Sequence, residues 1–223
     1  MWRRPESWVV AFAVMLAGCS GQTSDQEGTI SPGPGAETAV GAVEELIAAV
    51  NEPDFATASR MAMPGQAALA ALAEGASFAE VAEALGEGNE EAAANFWAGF
   101  AQGAGDFLTG NVTATDEGTM SEGGLEFHVV EVQLADGGTR TLLVRDEGGF
   151  RVDLFASFGA GLADKMIAPT ERLLSTQTEE ARMILAGLQE IVPSLLVAAS
   201  LPGTTGGASQ QLLALIEVIT RVG

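Results

Sequence analysis

Apolar residues recur every three or four positions through the first half of the chain, which is the spacing of the buried face of a helix. Val40, Val43, Leu46, Ile47 and Val50 show this spacing most clearly. The pattern predicts helices over residues 37–50, 54–63, 66–74, 77–85 and 89–107.

Two of these helices begin with capping signals. Asp54 is placed to accept the first free backbone N–H groups of its helix. Ser77 is followed three residues later by Glu80, which is the sequence of a capping box. Both signals predict helix starts at these positions.

After Gly110 the pattern becomes strand-like, and turn signals separate the segments. Strands are predicted over residues 111–115, 125–135, 139–145 and 150–155. In the longest one the apolar side changes from Leu125, Phe127 and Val129 to Val130 and Val132. This shift predicts a bulge or a strong bend within that strand.

Helical spacing returns over residues 169–201, where Pro193 is expected to kink or end the helix. A last helix is predicted from Ser209, as its cap, to Val222, and the segment 159–161 is interpreted as a turn. The fold class is therefore α+β. N-terminal helices pack on a bent antiparallel sheet, and a C-terminal helical pair follows within residues 163–223.

The start of the chain has the layout of a secretory signal. Arg3 and Arg4 precede an apolar run over residues 8–16, and small residues then lead to Cys19, the only cysteine. The sequence Leu16-Ala17-Gly18-Cys19 resembles the lipobox of bacterial lipoproteins. The resemblance implies cleavage of a signal peptide (1–18) and acylation of Cys19, with chains such as palmitate, as the new N-terminus.

Two alternatives exist for this segment. One is an uncleaved transmembrane anchor, but the apolar stretch is about half of the roughly 20 residues that a spanning helix needs. The other is an ordinary buried or disulfide cysteine, for which the chain offers no second cysteine. Residues 19–35 are rich in Gly, Ser, Thr and Pro, which predicts a flexible spacer that reaches about 20–25 Å from the membrane.

The middle of the chain resembles the NTF2-like superfamily of cone-shaped α+β domains. The resemblance rests on Asp54-Phe55-Ala56 at the second helix and on the segment from Gly148 to Asp153, which has the order Gly-Gly-aromatic-Arg-aliphatic-Asp. It covers residues 37–158 and implies an NTF2-like domain over 36–162. Enzymes of this family pair a carboxylate base with Tyr or protonated Asp donors, and this chain has no tyrosine.

The formal net charge is −20, and loss of residues 1–18 would make it about −21. Such a chain is repelled by nucleic acid, which is excluded as a partner. One histidine and one cysteine do not make a convincing metal site, so neither a metal nor a cofactor is expected. Four carboxylates qualify as a catalytic base by residue type alone: Asp106, Asp116, Glu131 and Asp153.

A hydrophobic pocket at the wide end of the cone is the candidate binding site. Its candidate residues are Phe96, Trp97, Phe100, Phe127, His128 and Phe150. The alternative is that the aromatic residues fill the core. His128 is interpreted either as a proton shuttle or ligand in the pocket or, preferably, as a half-buried strand residue on the face opposite Phe127.

These patterns predict an exported lipoprotein that faces the periplasm or the cell exterior and is anchored to the cell or outer membrane through Cys19. Its domain would bind a small apolar ligand or an envelope protein without catalysis. One alternative is a structural or assembly protein that acts through its C-terminal helices. Another is an NTF2-like enzyme of the isomerase or hydrolase type.

Overall fold

The computed structural model describes residues 35–86, 91–104, 113–134 and 137–221. The predicted signal peptide, Cys19 and the spacer up to residue 34 lie outside the described residues. So do Asp106, a candidate base, and residues 89–90 and 105–107 of the fifth predicted helix. Within the described residues the chain has an α+β fold, in which one group of helices precedes a four-stranded antiparallel sheet and another follows it.

The first group of helices matches the predicted segments closely. It comprises α1 (Ala39–Asn51), α2 (Phe55–Met61), α3 (Gln66–Ala70) with a 3₁₀ turn over Ala71–Glu74, α4 (Phe78–Gly86) and α5 (Glu91–Ala104).

Both predicted capping signals are confirmed. Asp54 Oδ1 accepts a hydrogen bond from the Thr57 N–H at 3.1 Å. Ser77 Oγ accepts from the Glu80 N–H at 3.3 Å, and Glu80 Oε2 accepts from the Ser77 N–H at 2.8 Å. These reciprocal bonds satisfy backbone donors that the first turn of a helix leaves free.

The sheet is a meander in the order β1-β2-β3-β4, and all neighbouring strands are antiparallel. Its strands are β1 (Thr113–Glu122), β2 (Leu125–Gln133), β3 (Thr139–Asp146) and β4 (Phe150–Val152). The predicted first strand was too short, because β1 continues through a polar stretch to the turn at Gly123 and Gly124.

The predicted bulge in β2 is wrong. The pairing of β2 with β3 is continuous, and the irregularity lies in β1, between Asp116 and Thr119. Apolar residues change sides along β2 because both faces of the sheet are covered. Val130 and Val132 belong to the main core, whereas Phe127 packs in a second cluster on the opposite face.

The turn predicted at residues 159–161 is wrong, because these residues lie inside the helix α6 (Leu154–Leu174). Asp153 caps this helix by accepting a hydrogen bond from the Ala156 N–H. The last strand therefore ends at Val152 and not at residue 155, as was predicted. A glycine suits position 159 of this helix, because an added Cβ would lie 3.3 Å from Leu195 and 3.4 Å from Leu212.

Three more helices follow: α7 (Glu179–Glu190), α8 (Val192–Ser200) and α9 (Gly206–Thr220). Pro193 stands at the start of α8, and the α7–α8 pair bends by 41° there. The cap of α9 is Thr205 rather than Ser209, since its side chain accepts from the Ala208 N–H at 3.3 Å. Four helices thus follow the sheet in the described chain, where a pair was predicted.

The helices after the sheet share the main core with α1, α2 and the sheet. Ile184, Leu195, Leu212 and Val144 belong to one continuous cluster of buried side chains. The predicted domain boundary at residues 162/163 falls within α6. Among the described residues no single helix is long and apolar enough to cross a membrane, and the bent pair α7–α8 meets the criterion by length and composition only.

Candidate functional site

Three of the six candidate pocket residues lie together in the core. Phe96 and Trp97 are 1% and 0% exposed, and their ring centroids are 4.9 Å apart. Phe100 contacts Trp97 edge-on at 5.6 Å and Phe158 of α6 at 5.1 Å. The indole Nε1–H of Trp97 donates to Ser59 Oγ at 2.9 Å. This arrangement is typical of a closed core in which each aromatic ring packs on its neighbours.

Phe127 lies on the other side of the sheet. It is 0% exposed and packs with Leu143 of β3, Ala156 of α6 and Val197 of α8. Phe127 and His128 are adjacent along β2, so their side chains point to opposite faces. The structure therefore does not bring Phe127 together with the Trp97 group.

His128 and Phe150 form a third group. Their rings meet edge-on at 5.0 Å, and His128 Nδ1 lies 3.2 Å from Asp116 Oδ2. The side chain of His128 is 27% exposed, which agrees with a half-buried strand residue. The Gly118 N–H, and after it the imidazole of His128, hold the pKa of Asp116 below its ordinary value, against the opposing effect of burial.

The Asp116–His128 contact depends on the bulge in β1. Two residues, Glu117 and Gly118, lie between Asp116 and Thr119, which pair with Val130 and His128 of β2. Gly118 has a φ of +106°, a region that residues with a side chain rarely adopt. Its N–H donates to Asp116 Oδ1 at 2.8 Å, which fixes the carboxylate beside the imidazole.

The most highly bonded carboxylate in the interior is Asp153, which is 0% exposed. Its Oδ1 accepts from the Ala156 N–H and from Gln66 Nε2, both at 3.0 Å. Its Oδ2 accepts from Ser194 Oγ at 2.7 Å and lies 3.6 Å from Arg145 NH1. Asp153 thus joins α3, β3, α6 and α8. The sequence indicated Asp153 only as a carboxylate and as the end of the Gly148–Asp153 segment, because Gln66 and Ser194 come from distant parts of the chain.

Gln66 completes this group of residues. Its side chain is buried, and its Oε1 accepts from the Leu154 N–H at 2.6 Å. Among the described residues no buried side-chain nitrogen or oxygen lacks a hydrogen-bond partner. Both oxygens of Asp153 therefore have partners within the fold, which is typical of a carboxylate that holds elements together.

A surface depression of about 250 Å³ is lined by Gly75, Ala76, Ser77, Phe78 and Arg172, none of which was a candidate pocket residue. Within the described ranges no group of three or more His, Cys, Asp or Glu side chains could hold a metal ion. Glu131, the remaining carboxylate candidate, is exposed on β2.

The chain was compared with protein-family models, with curated proteins and with solved structures, and none of them matches it.

Proposed function

We propose that this protein is an exported lipoprotein, anchored to the cell envelope through an acylated Cys19, whose folded domain binds a partner protein without catalysis. The observation that carries the proposal is the sequence Leu16-Ala17-Gly18-Cys19 behind a basic start and an apolar run. Cys19 is the only cysteine of the chain, so acylation accounts for a residue that has no disulfide partner.

The place where the described chain begins suits a tether. Ala36 pairs with Phe150 of β4 through two backbone hydrogen bonds of 3.0 and 2.9 Å. The described chain therefore begins at one edge of the sheet, where a spacer from the membrane could join the domain without crossing its faces.

The packing favours a protein partner over a small apolar ligand. Phe96, Trp97 and Phe127 have exposures of 0–1%, and they lie in two separate clusters. An apolar ligand would have to displace these side chains from close-packed surroundings, which costs free energy for every contact that is lost.

We also propose that residues 36–162 form an NTF2-like domain. Its support is that the helices α1 to α5 precede a four-stranded antiparallel meander, that Asp54 caps α2, and that Asp153 directly follows β4. The continuous helix α6 and the helices after it extend beyond that pattern.

Metabolic labelling with an alkyne analogue of palmitate tests the anchor. Expressed in a bacterial host, the full-length wild-type protein should carry the label. Cys19→Ala should lose it, and the neighbouring variant Ser20→Ala should keep it. An unlabelled wild-type protein, or a label that remains on Cys19→Ala, would contradict the proposal.

A second candidate function has one observation in its favour. Met183, Leu196 and Leu213 on α7, α8 and α9 are 40%, 43% and 50% exposed, although they are large and apolar. These side chains suit a structural or assembly role of the C-terminal helices. In that case chemical crosslinking of intact cells should join the wild-type protein to a partner. The double variant Leu196→Asp, Leu213→Asp should lose this crosslinked complex, while the exposed control Gln210→Asp on α9 should retain it.

A further inference from the structure

The two edges of the sheet differ in what covers them. At the β4 edge, Ala36 pairs with Phe150, and the Met63 N–H donates to Val152 O at 2.9 Å. At the β1 edge, none of the described residues forms a bridge, and eight of the ten residues of β1 are exposed. Alternate residues of such an edge direct their backbone N–H and C=O groups outward, where an extended chain can pair with them.

The charge of the β1–β2 hairpin is of one sign. Residues 113–134 contain five carboxylates and neither lysine nor arginine. All five carboxylate residues are exposed: Asp116, Glu117, Glu122, Glu126 and Glu131. The strand pairing puts Glu122 and Glu131 on one face of the sheet and Asp116 and Glu126 on the other. Lysine or arginine side chains on either face of an added strand would therefore meet a carboxylate.

The position of this edge relative to the tether is also favourable. Because β1 and β4 are the two outer strands, they are separated by three strand spacings, or about 14 Å. Ala36 pairs with Phe150 of β4, so the described chain begins at the edge of the sheet opposite to β1.

We propose that the free edge of β1 binds an extended, lysine- or arginine-rich segment of a partner protein by strand addition. This inference rests on the proposed function, since it names the partner of the tethered domain. Backbone hydrogen bonds would supply the pairing, and the carboxylates would select a cationic strand. The bulge between Asp116 and Thr119 interrupts the edge, so a partner strand would pair with a short stretch on either side of it.

A second copy of this chain does not suit the same edge. Antiparallel pairing of β1 with itself would place the carboxylates of Asp116, Glu117 and Glu122 from both copies along one pair of strands, and a register centred on Thr119 would put Asp116 directly opposite Glu122. Like charges in direct cross-strand positions destabilise a sheet, and charged edges are a known protection against such pairing.

The test uses the full-length protein in a non-ionic detergent and a fluorescein-labelled peptide of seven residues, Lys and Val in alternation. Fluorescence anisotropy should show saturable binding. Glu117→Lys with Glu122→Lys should weaken it at least tenfold. The control pair Glu171→Lys with Glu190→Lys changes the net charge equally, at exposed sites on α6 and α7, and should weaken it less than threefold.

Two outcomes would overturn the inference. Equal weakening by the control pair would mean that the peptide responds to net charge alone. Undiminished binding of a peptide with N-methyl groups on alternate residues would mean that no backbone pairing occurs, and this comparison needs only the wild-type protein. Neither result depends on the palmitate label, so failure of this inference is distinguishable from failure of the proposed anchor.

Discussion

The surroundings of Asp153 and the β1–β2 hairpin use carboxylates in opposite ways. Asp153 is fully buried, and its oxygens are engaged by three hydrogen bonds and by Arg145. The five carboxylates of the hairpin are exposed. Among them, Asp116 accepts a hydrogen bond from the Gly118 N–H and lies beside the imidazole of His128. The first arrangement holds four elements together, whereas the second leaves charge and backbone groups available to another molecule. Binding is therefore expected at the outer strand rather than in the interior.

The largest expected effect is a difference in the free energy of unfolding between variants on the two faces of β2. Phe127→Ala should lower the free energy of unfolding by about 3–5 kcal/mol, because it empties a site that is 0% exposed beneath α8. The adjacent variant Glu126→Ala removes an exposed side chain and should change stability by less than about 0.5 kcal/mol. Urea unfolding followed by the emission of Trp97 measures both. Equal losses of stability in the two variants would mean that Phe127 is not packed against α6 and α8 as described.

Asp153→Asn should have the next largest effect. It keeps the shape of the side chain but removes the charge that faces Arg145 and replaces one acceptor by a donor. Such a change leaves buried partners unsatisfied, which costs about 1–3 kcal/mol. The matched variant Asp164→Asn, at an exposed position of α6, should cost less than about 0.5 kcal/mol. If Asp153→Asn were as stable as the wild type in urea, Asp153 would not join these elements as described.

The smallest effect concerns pH. The folded state holds the pKa of Asp116 below its ordinary value of 3.8, so the ionised carboxylate stabilises the fold. This contribution is present above the unfolded pKa and is lost as the pH falls through the folded pKa. Asp116→Asn should therefore be slightly less stable than the wild type at pH 7.

The difference between Asp116→Asn and the wild type should shrink below pH 4. Because the carboxylate is largely exposed, it should be small throughout. Thermal unfolding at pH 7 and at pH 3 measures it. A difference that grows toward acid pH would show that the pKa of Asp116 is raised on folding instead.

The sequence predicted those parts of the fold whose signals are local. The capping residues Asp54 and Ser77 act within three positions of themselves, and both were predicted correctly. The β2 and β3 strands also followed from local signals, since each is a strand-like segment bounded by turn residues, within a few positions at each end.

The wrong predictions involve residues whose role depends on distant neighbours. Gly159 indicated a turn when taken alone, but in the fold it lets α8 and α9 approach α6 closely. The two apolar sides of β2 indicated a bulge, because the sequence does not show that helices cover both faces of the sheet. Two partners of Asp153, Ser194 and Gln66, lie 41 and 87 positions away, so no local pattern could reveal them.

Hydrogen–deuterium exchange of the full-length protein, with and without the Lys-Val peptide, tests the contrast between the two regions most directly. The N–H groups of Leu154 and Ala156 are bonded to buried side chains, so they should exchange slowly under both conditions. Several amides within residues 113–122 should exchange quickly in the free protein and slow down when the peptide is added. Slow exchange along β1 in the free protein, or peptide protection around Trp97 instead, would contradict a closed interior with a free outer strand.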